Sequence, residues 1–268
     1  MRVEVGCEFD YETQVTTPAV VLVRPFSTDA QRVLAERWVS DPGVPFHDYV
    51  DLYGNICRRI NLGPGRLRFR YDATVVVSDE FDGYAPQAEQ VAVEALPDEA
   101  LVYTLPSRYC LSDVLSDRAW ELFGTTEPGW SRVQAICDFV NGHVTFGYGS
   151  STPDTTAVHV YENAAGVCRD FAHLAIAFAR AMNVPARYVF GYMPDIDIPP
   201  PYSPMDFCAW FEAYLGGAWW TFDPRNNQPR RGRIVIARGR DALDVAMVTT
   251  YGPVTLHEMI VRADRMEG

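Results

Sequence analysis

The stretch Gly166-Val167-Cys168-Arg169-Asp170-Phe171 opens a segment with helical periodicity, and Pro185 limits its far end. Its apolar residues recur on one side of the predicted helix: Phe171, Leu174, Ala175, Phe178 and Met182. Cys168 therefore falls in the first turn of a buried helix, where unpaired N–H groups and the positive end of the dipole favour a thiolate. The pattern predicts a lowered pKa for Cys168, and the alternative is a packed core cysteine.

A second stretch, from Phe207 to Asp223, has the pattern of a β-hairpin. Two segments rich in aromatic residues flank Gly216-Gly217, a typical two-residue turn. This turn places residue 215 opposite 218 and residue 210 opposite 223. Because side chains alternate along a strand, Cys208, Trp210 and Asp223 share one face, with Cys208 diagonal to Asp223. The alternative for Asp223 is a structural role at the strand end before Pro224.

The chain carries three motifs in this order: Gly166-Val167-Cys168-Arg169-Asp170-Phe171-Ala172-His173, Asp206-Phe207-Cys208-Ala209-Trp210-Phe211-Glu212 and Trp220-Thr221-Phe222-Asp223-Pro224. Together they resemble the bacterial transglutaminase-like family, in the branch with an N-terminal β domain. The resemblance implies a nucleophile at Cys168 and a triad carboxylate at Asp223. The histidine of the family, in a His-Ala-Trp segment, falls on Cys208, so an imidazole is missing at the position of the proton shuttle.

The resemblance implies acyl transfer through a thioester on Cys168. Family members act as proteases, amidases, transglutaminases and amide-forming enzymes, so the implied substrate is a protein, a peptide or a small acyl compound. In the ordinary chemistry an imidazole takes the thiol proton and returns it to the leaving amine, and a carboxylate orients the imidazole. Cys208 has a shorter side chain and an ordinary pKa of about 8.5. We therefore expect amide substrates to suffer more than thioesters.

Three function classes stay open. The first is the cysteine-dependent acyl-transfer enzyme that uses Cys168, Cys208 and Asp223. The second is a binding or scaffolding protein without catalysis. The third is altered thiol chemistry, in which these side chains ligate zinc, pair as a redox disulfide or act jointly on a different substrate. Since they supply only three ligands, we expect no tightly bound metal, and the sequence indicates no cofactor.

Three aromatic side chains are predicted to contact the substrate. Trp210 shares a strand face with Cys208, and Tyr148 lies in the segment that ends the preceding helical unit. Tyr202 lies in a loop from Pro194 to Pro204 that contains five prolines and leads to Cys208. Such a loop is stiff and extended, so it is suited to form a wall of the substrate cleft, and a plain surface connection is the alternative.

Three histidines are candidates to replace the missing imidazole. His159 precedes Cys168 by nine residues and is predicted to face solvent. His173 points about 140° around the helix from Cys168 and is predicted to be a core residue. His143 closes a helix, where an imidazole suits the dipole. None of the three is expected to replace the imidazole.

Composition and charge narrow the class of protein. The chain has 268 residues, of which 48% are hydrophobic and 22% charged, a balance typical of globular proteins. Its net charge of −12 disfavours nucleic acid and anionic membranes as partners. The N-terminus lacks the apolar core of a signal peptide, and no run reaches about 18 apolar residues. With six scattered cysteines and no C-x-x-C pair, these features predict a cytoplasmic protein with reduced thiols.

The predicted fold class is α+β, with a transglutaminase-like (papain-like) core and an N-terminal antiparallel β-sandwich. Residues 1–99 contain the predicted sandwich and an acidic, proline-punctuated linker from residue 82. Residues 100–268 form the transglutaminase-like catalytic domain. Strands at 234–237, 245–249 and 254–261 are expected to complete the sheet of that domain.

Overall fold

The computed structural model describes residues 1–200 and 204–266. Its α-helices are α1 Asp98–Leu101, α2 Ser116–Phe123, α3 Trp130–His143, α4 Ala157–Asn163 and α5 Cys168–Ala181. Its strands are β1 Arg2–Thr13, β2 Thr17–Val21, β3 Gln31–Asp41, β4 Phe46–Val50, β5 Ile56–Leu62, β6 Gly65–Val77, β7 Thr145–Phe146, β8 Ala165–Gly166, β9 Ala186–Tyr192, β10 Cys208–Leu215, β11 Ala218–Phe222, β12 Ile234–Gly239, β13 Val248–Thr250 and β14 Thr255–Arg265. Among these helices, none has the length and apolar character needed to cross a membrane.

Two four-stranded antiparallel sheets form the N-terminal part of the structure. Their strand orders are β14-β1-β6-β3 and β13-β2-β5-β4. Strand β6 shows why they form, because Leu67, Phe69 and Tyr71 are buried while the arginines between them point to solvent. Phe9 of β1 stacks on Phe69 with ring centroids 5.0 Å apart. The expected N-terminal antiparallel sheet region is confirmed.

The last two strands lie elsewhere than expected. Strand β14 pairs with β1, with Cys7 opposite Val261, and β13 pairs with β2. The prediction that they complete the catalytic-domain sheet is wrong, and β12 is the strand that does join it. The twelve-residue β1 offers a long edge, and pairing with β14 covers it. We propose that the chain divides near residue 100, with residues 248–265 returning to the N-terminal sheets.

The second half is built around helix α5 and one antiparallel sheet. The sheet order is β11-β10-β9-β12, and α5 packs on it through β9 and β10. The hairpin has the predicted register, with Leu215 opposite Ala218. Gly216 and Gly217 have φ values of 59° and 86°, which glycine tolerates and which match the twist of the strands. The mixture of helices and antiparallel sheets confirms the α+β class.

The segment predicted as a linker packs against the second half. The carbonyl of Ala88 accepts the N–H of Trp130 at 2.9 Å, and that of Glu89 accepts the N–H of Gly216 at 2.8 Å. Asp82, at the start of this segment, binds Arg233 near the candidate site. The segment therefore holds the hairpin turn and the site in place.

Candidate active site

Cys168 is the first residue of α5 and faces a cavity of about 590 Å³. It is half-buried, whereas the other five cysteines are buried. Its Sγ lies 3.9 Å from the carbonyl oxygen of Phe207. The Asp170 carboxylate accepts the N–H of Val167 at 2.8 Å and so fixes the helix start. The sequence therefore places one accessible thiol at the N-terminus of a fourteen-residue helix.

The pKa of Cys168 differs from the sequence-based prediction. Burial raises the pKa of this thiol above its ordinary value, although the positive charge of Arg225 opposes the shift. The negative charge of Asp206 raises it further. The prediction of a lowered pKa is wrong because removal of the thiolate from water outweighs the favourable helix start.

Cys208, the first residue of β10, lines the same cavity as Cys168. Only 8% of it is exposed. Burial raises the pKa of Cys208 well above its ordinary value, and the nearby Cys168 adds to the shift. A guanidinium nitrogen of Arg225 lies 4.0 Å from its Sγ. Cys208 is therefore a neutral thiol near pH 7 and has little capacity to act as a base.

Asp223 follows β11 and is held by two side chains. Asn226 Nδ2 donates to its carboxylate at 2.8 Å, and Arg233 Nη2 donates at 2.9 Å. Burial by itself would raise the pKa of Asp223, but Arg233 and Asn226 outweigh it and hold the pKa below its usual range. Asp223 is therefore a carboxylate whose charge is balanced by a guanidinium.

Zinc ligation was one form of the altered chemistry considered for Cys168, Cys208 and Asp223. Across residues 1–200 and 204–266, no three His, Cys, Asp or Glu side chains are placed to hold a metal ion.

The three predicted substrate contacts have different outcomes. Tyr148 lines the cavity and is 62% exposed, so it is placed to contact a ligand. Trp210 is 1% exposed and packs beneath the site, where the Arg233 guanidinium lies 5.0 Å from its ring centroid. Trp210 is not among the described residues that line the cavity, so its contact with a substrate stays a prediction. Tyr202 lies outside the described residues.

The three histidines have structural partners. His173 is fully buried, and its Nε2 accepts the N–H of Ala242 at 3.1 Å. Burial lowers its pKa well below the ordinary value, so the ring is neutral. The exposed His159 accepts the N–H of Thr156 at 3.2 Å, and His143 Nε2 lies 2.7 Å from a backbone carbonyl oxygen. Among the described residues that line the cavity, there is no histidine.

Sequence reasoning missed two charged residues and one wall of the cavity. Asp206 and Arg225 both line it, and Arg225 stacks on Phe146 with 4.0 Å between its guanidinium and the ring centroid. Each lies two residues from a predicted site residue, and this proximity in sequence is the signal by which it could have been found. Residues 242–243 and 245–248 and Met259 form an apolar wall, which no local pattern predicted because these residues lie far along the chain from Cys168 and Cys208.

Comparison with known proteins yields one family and several relatives. The transglutaminase-like superfamily model matches residues 117–224, a range that includes Cys168, Cys208 and Asp223. An uncharacterised protein of Mycobacterium bovis is 30% identical over 266 residues, covering 91% of this chain and 84% of the relative. An uncharacterised protein of Mycobacterium leprae is 24% identical, covering 92% and 90%. The crystal structure of a "putative cysteine protease" from Cytophaga hutchinsonii superimposes with a TM-score of 0.91 and 32% identity, covering 100% of this chain and 91% of that one.

Proposed function

Because this chain belongs to the transglutaminase-like superfamily, we propose that it is a cysteine-dependent acyl-transfer enzyme with Cys168 as its nucleophile. One observation carries the proposal. Cys168 is a half-buried thiol at a helix N-terminus, and it faces a cavity of about 590 Å³. A structural core cysteine has no need of such access.

The first step is attack of the Cys168 thiolate on an acyl carbonyl. The backbone N–H of Cys168, in the first turn of the helix, lacks an intrahelical partner and is the proposed donor to the oxyanion. The positive charge of Arg225 favours the thiolate. The product of this step is an acyl thioester on Cys168, which water or an amine then resolves.

The thiol at residue 208, in place of an imidazole, determines which leaving groups the site expels efficiently. A neutral thiol is a weak donor and does not carry a proton as an imidazole does. Loss of general acid–base help typically costs about 10²–10⁴-fold in rate. A thioester leaving group departs as a thiolate, whereas an amine must be protonated. We therefore assign thioesters and other activated acyl compounds as better substrates than amides.

The cavity wall indicates the kind of acyl group. Phe146, Phe190, Met247 and Met259 are among its lining residues, which are mostly apolar. Apolar walls favour a hydrophobic acyl group from a peptide or a small molecule. The free thiols and the acidic composition support placement of the protein in the cytoplasm.

A second candidate function rests on the two thiols. Cys168 and Cys208 line the same cavity, so the pair is placed to act on one substrate. In this alternative Cys208 is a working group rather than a substitute for histidine. The two functions differ in what loss of Cys208 does to activity.

The experiment compares wild type, Cys168→Ala and Cys208→Ala on a hydrophobic acyl thioester and the matching p-nitroanilide. We expect Cys168→Ala to abolish turnover and Cys208→Ala to retain most thioester turnover. Equal loss in both variants would favour the two-thiol function. Turnover that survives in Cys168→Ala, or that wild type itself lacks, would overturn the proposed enzyme and favour a binding protein.

A further inference from the structure

Asp206 lies beside the nucleophile and is not one of the three triad positions. Its Oδ1 accepts the N–H of Phe207 at 2.7 Å, and the carbonyl oxygen of that same residue lies 3.9 Å from Cys168 Sγ. The Asp206 carboxyl and the Cys168 thiol thus both contact the backbone of Phe207. Asp206 is half-buried and lines both the main cavity and an adjoining one of about 220 Å³, which Cys208 also lines.

The titratable groups of the cavity differ in what they can do. Among the described lining residues, Asp206 is the only carboxyl group. Burial raises the pKa of Asp206 above its usual value, although the Phe207 N–H and Arg225 oppose the shift. Burial also raises the pKa values of Tyr148 and Cys208, which moves those groups away from neutrality. Arginines keep their protons. Asp206 is therefore the one lining group whose proton affinity moves toward the working pH.

We propose that the Asp206 carboxyl carries the proton in this site, a role that rests on the proposed acyl transfer through Cys168. In the first half-reaction, Asp206 accepts the thiol proton as the Cys168 sulfur bonds to the acyl carbon. The bond from that carbon to the leaving group breaks, and Asp206 gives the proton to a leaving nitrogen as that bond breaks, or to a thiolate after it has departed. In the second, Asp206 takes a proton from water as the water oxygen bonds to the acyl carbon. The bond from that carbon to the Cys168 sulfur then breaks, Asp206 gives the proton to the sulfur, and the carboxylic acid leaves.

Other charged or titratable side chains line the cavities that Asp206 lines. Arg225 lines both cavities with Asp206 and opposes its protonation, and Tyr148 also lines both cavities. Asp195 and Arg230 line the adjoining cavity and pair with each other at 3.8 Å. Since Asp206 must ionise to accept a proton, turnover should fall on the acid side, at a pH above the ordinary pKa of an aspartate.

The test uses Asp206→Asn and measures two rates on the same protein. The first is iodoacetamide labelling of Cys168, followed by mass spectrometry, and the second is turnover of the acyl thioester and the p-nitroanilide. The charge of Asp206 raises the pKa of Cys168, so its removal should speed labelling at a fixed pH. If Asp206 carries the proton, turnover should fall in this variant. If Asp206 is only a neighbouring charge, turnover should be unchanged or should rise.

We expect thioester turnover to fall at least about tenfold and amide turnover to fall by a larger factor, while labelling of Cys168 is unchanged or faster. Asp206→Glu should keep part of the activity with a shifted acid limb, which a purely structural role would not produce. Glu121→Gln, which alters an exposed carboxylate of helix α2 outside both cavities, should leave both rates unchanged.

Thioester turnover that is unchanged or raised in Asp206→Asn would overturn the assignment, because a neighbouring charge explains that result. If Asp206→Asn does not fold, the pH profile of Asp206→Glu decides, and an unshifted acid limb counts against the proposal. Turnover that survives in Cys168→Ala would instead remove the proposed function itself, so the two failures are distinguishable.

Discussion

Arg233 donates a hydrogen bond from Nη2 to the Asp223 carboxylate at 2.9 Å, and its Nε binds Asp82 at 3.0 Å. The position that the family resemblance assigns to a triad carboxylate is thus neutralised inside the protein by a guanidinium. The same guanidinium lies over the buried ring of Trp210. The pair ties the hairpin to the segment between the two halves of the chain.

Removal of this guanidinium should destabilise the protein. Arg233→Gln leaves the buried Asp223 without its cation, so we expect the free energy of unfolding to fall by about 3–5 kcal/mol. The control is Arg231→Gln, whose partners Asp79 and Asp197 are both half exposed and whose loss should cost at most about 1 kcal/mol. Urea unfolding measures both, and equal losses would contradict a buried ion pair at Arg233.

Restoring an imidazole should change the substrate preference. Cys208→His should raise amide turnover toward the 10²–10⁴-fold of general acid–base catalysis and alter thioester turnover less. The hairpin puts residue 208 on the Asp223 face, so the carboxylate is placed to orient the new ring. Cys208→Ala is the matched control on the same p-nitroanilide and thioester. If Cys208→His loses activity as completely as Cys168→Ala, Cys208 is itself a working group.

Labelling of Cys168 should depend strongly on pH. Because burial raises the pKa of this thiol above its ordinary value, the thiolate fraction and the iodoacetamide rate should still be rising at a pH above the ordinary pKa of a cysteine. Arg225→Gln should move the midpoint higher, since the positive charge of Arg225 lowers the pKa. Cys168 should nevertheless label first because it is the most accessible of the six thiols.

Two results would contradict this expectation. A midpoint below about pH 8 would mean that the thiolate is stabilised by something other than the groups described here. Faster labelling of Cys7 or Cys57 than of Cys168 in the native protein would remove the case for Cys168 as the reactive thiol.

A methyl group at Gly191 should disturb the sheet beneath the site. A Cβ there would meet the Ile234 carbonyl oxygen and would lie 2.8 Å from the ring of Trp210. We expect Gly191→Ala to cost about 1–3 kcal/mol of stability. Gly142→Ala is the control, because its Cβ meets nothing within 4 Å in helix α3 and alanine should stabilise by about 0.5–1 kcal/mol. Thermal unfolding compares the two, and a neutral Gly191→Ala would contradict the tight packing.

The sequence predicted the parts of the structure that depend on local pattern. Helix α5 begins at Cys168, and the register of the Gly216-Gly217 hairpin follows from turn length and alternation. These features need only residues close in sequence, so periodicity and turn chemistry suffice.

The parts that were missed depend on contacts between distant residues. Strand β14 pairs with β1 across more than 240 positions, and Asp82 reaches Arg233 across 151. The pKa of Cys168 was predicted in the wrong direction because its burial depends on residues distant in sequence, such as Phe207, which the helix start does not reveal. The strand face that Trp210 shares with Cys208 was predicted from alternation, but Cys208 lines the cavity while Trp210 is buried, a difference that depends on the residues packed around the strand.

The most direct test of the central claim is intact-mass spectrometry of the protein quenched in acid during turnover of a hydrophobic acyl thioester. We predict one added acyl mass in wild type, mapped to Cys168 by peptide sequencing, retained in Cys208→Ala and absent from Cys168→Ala. An acyl group on Cys208, or turnover with an acyl adduct still formed in Cys168→Ala, would contradict the assignment of Cys168 as the nucleophile.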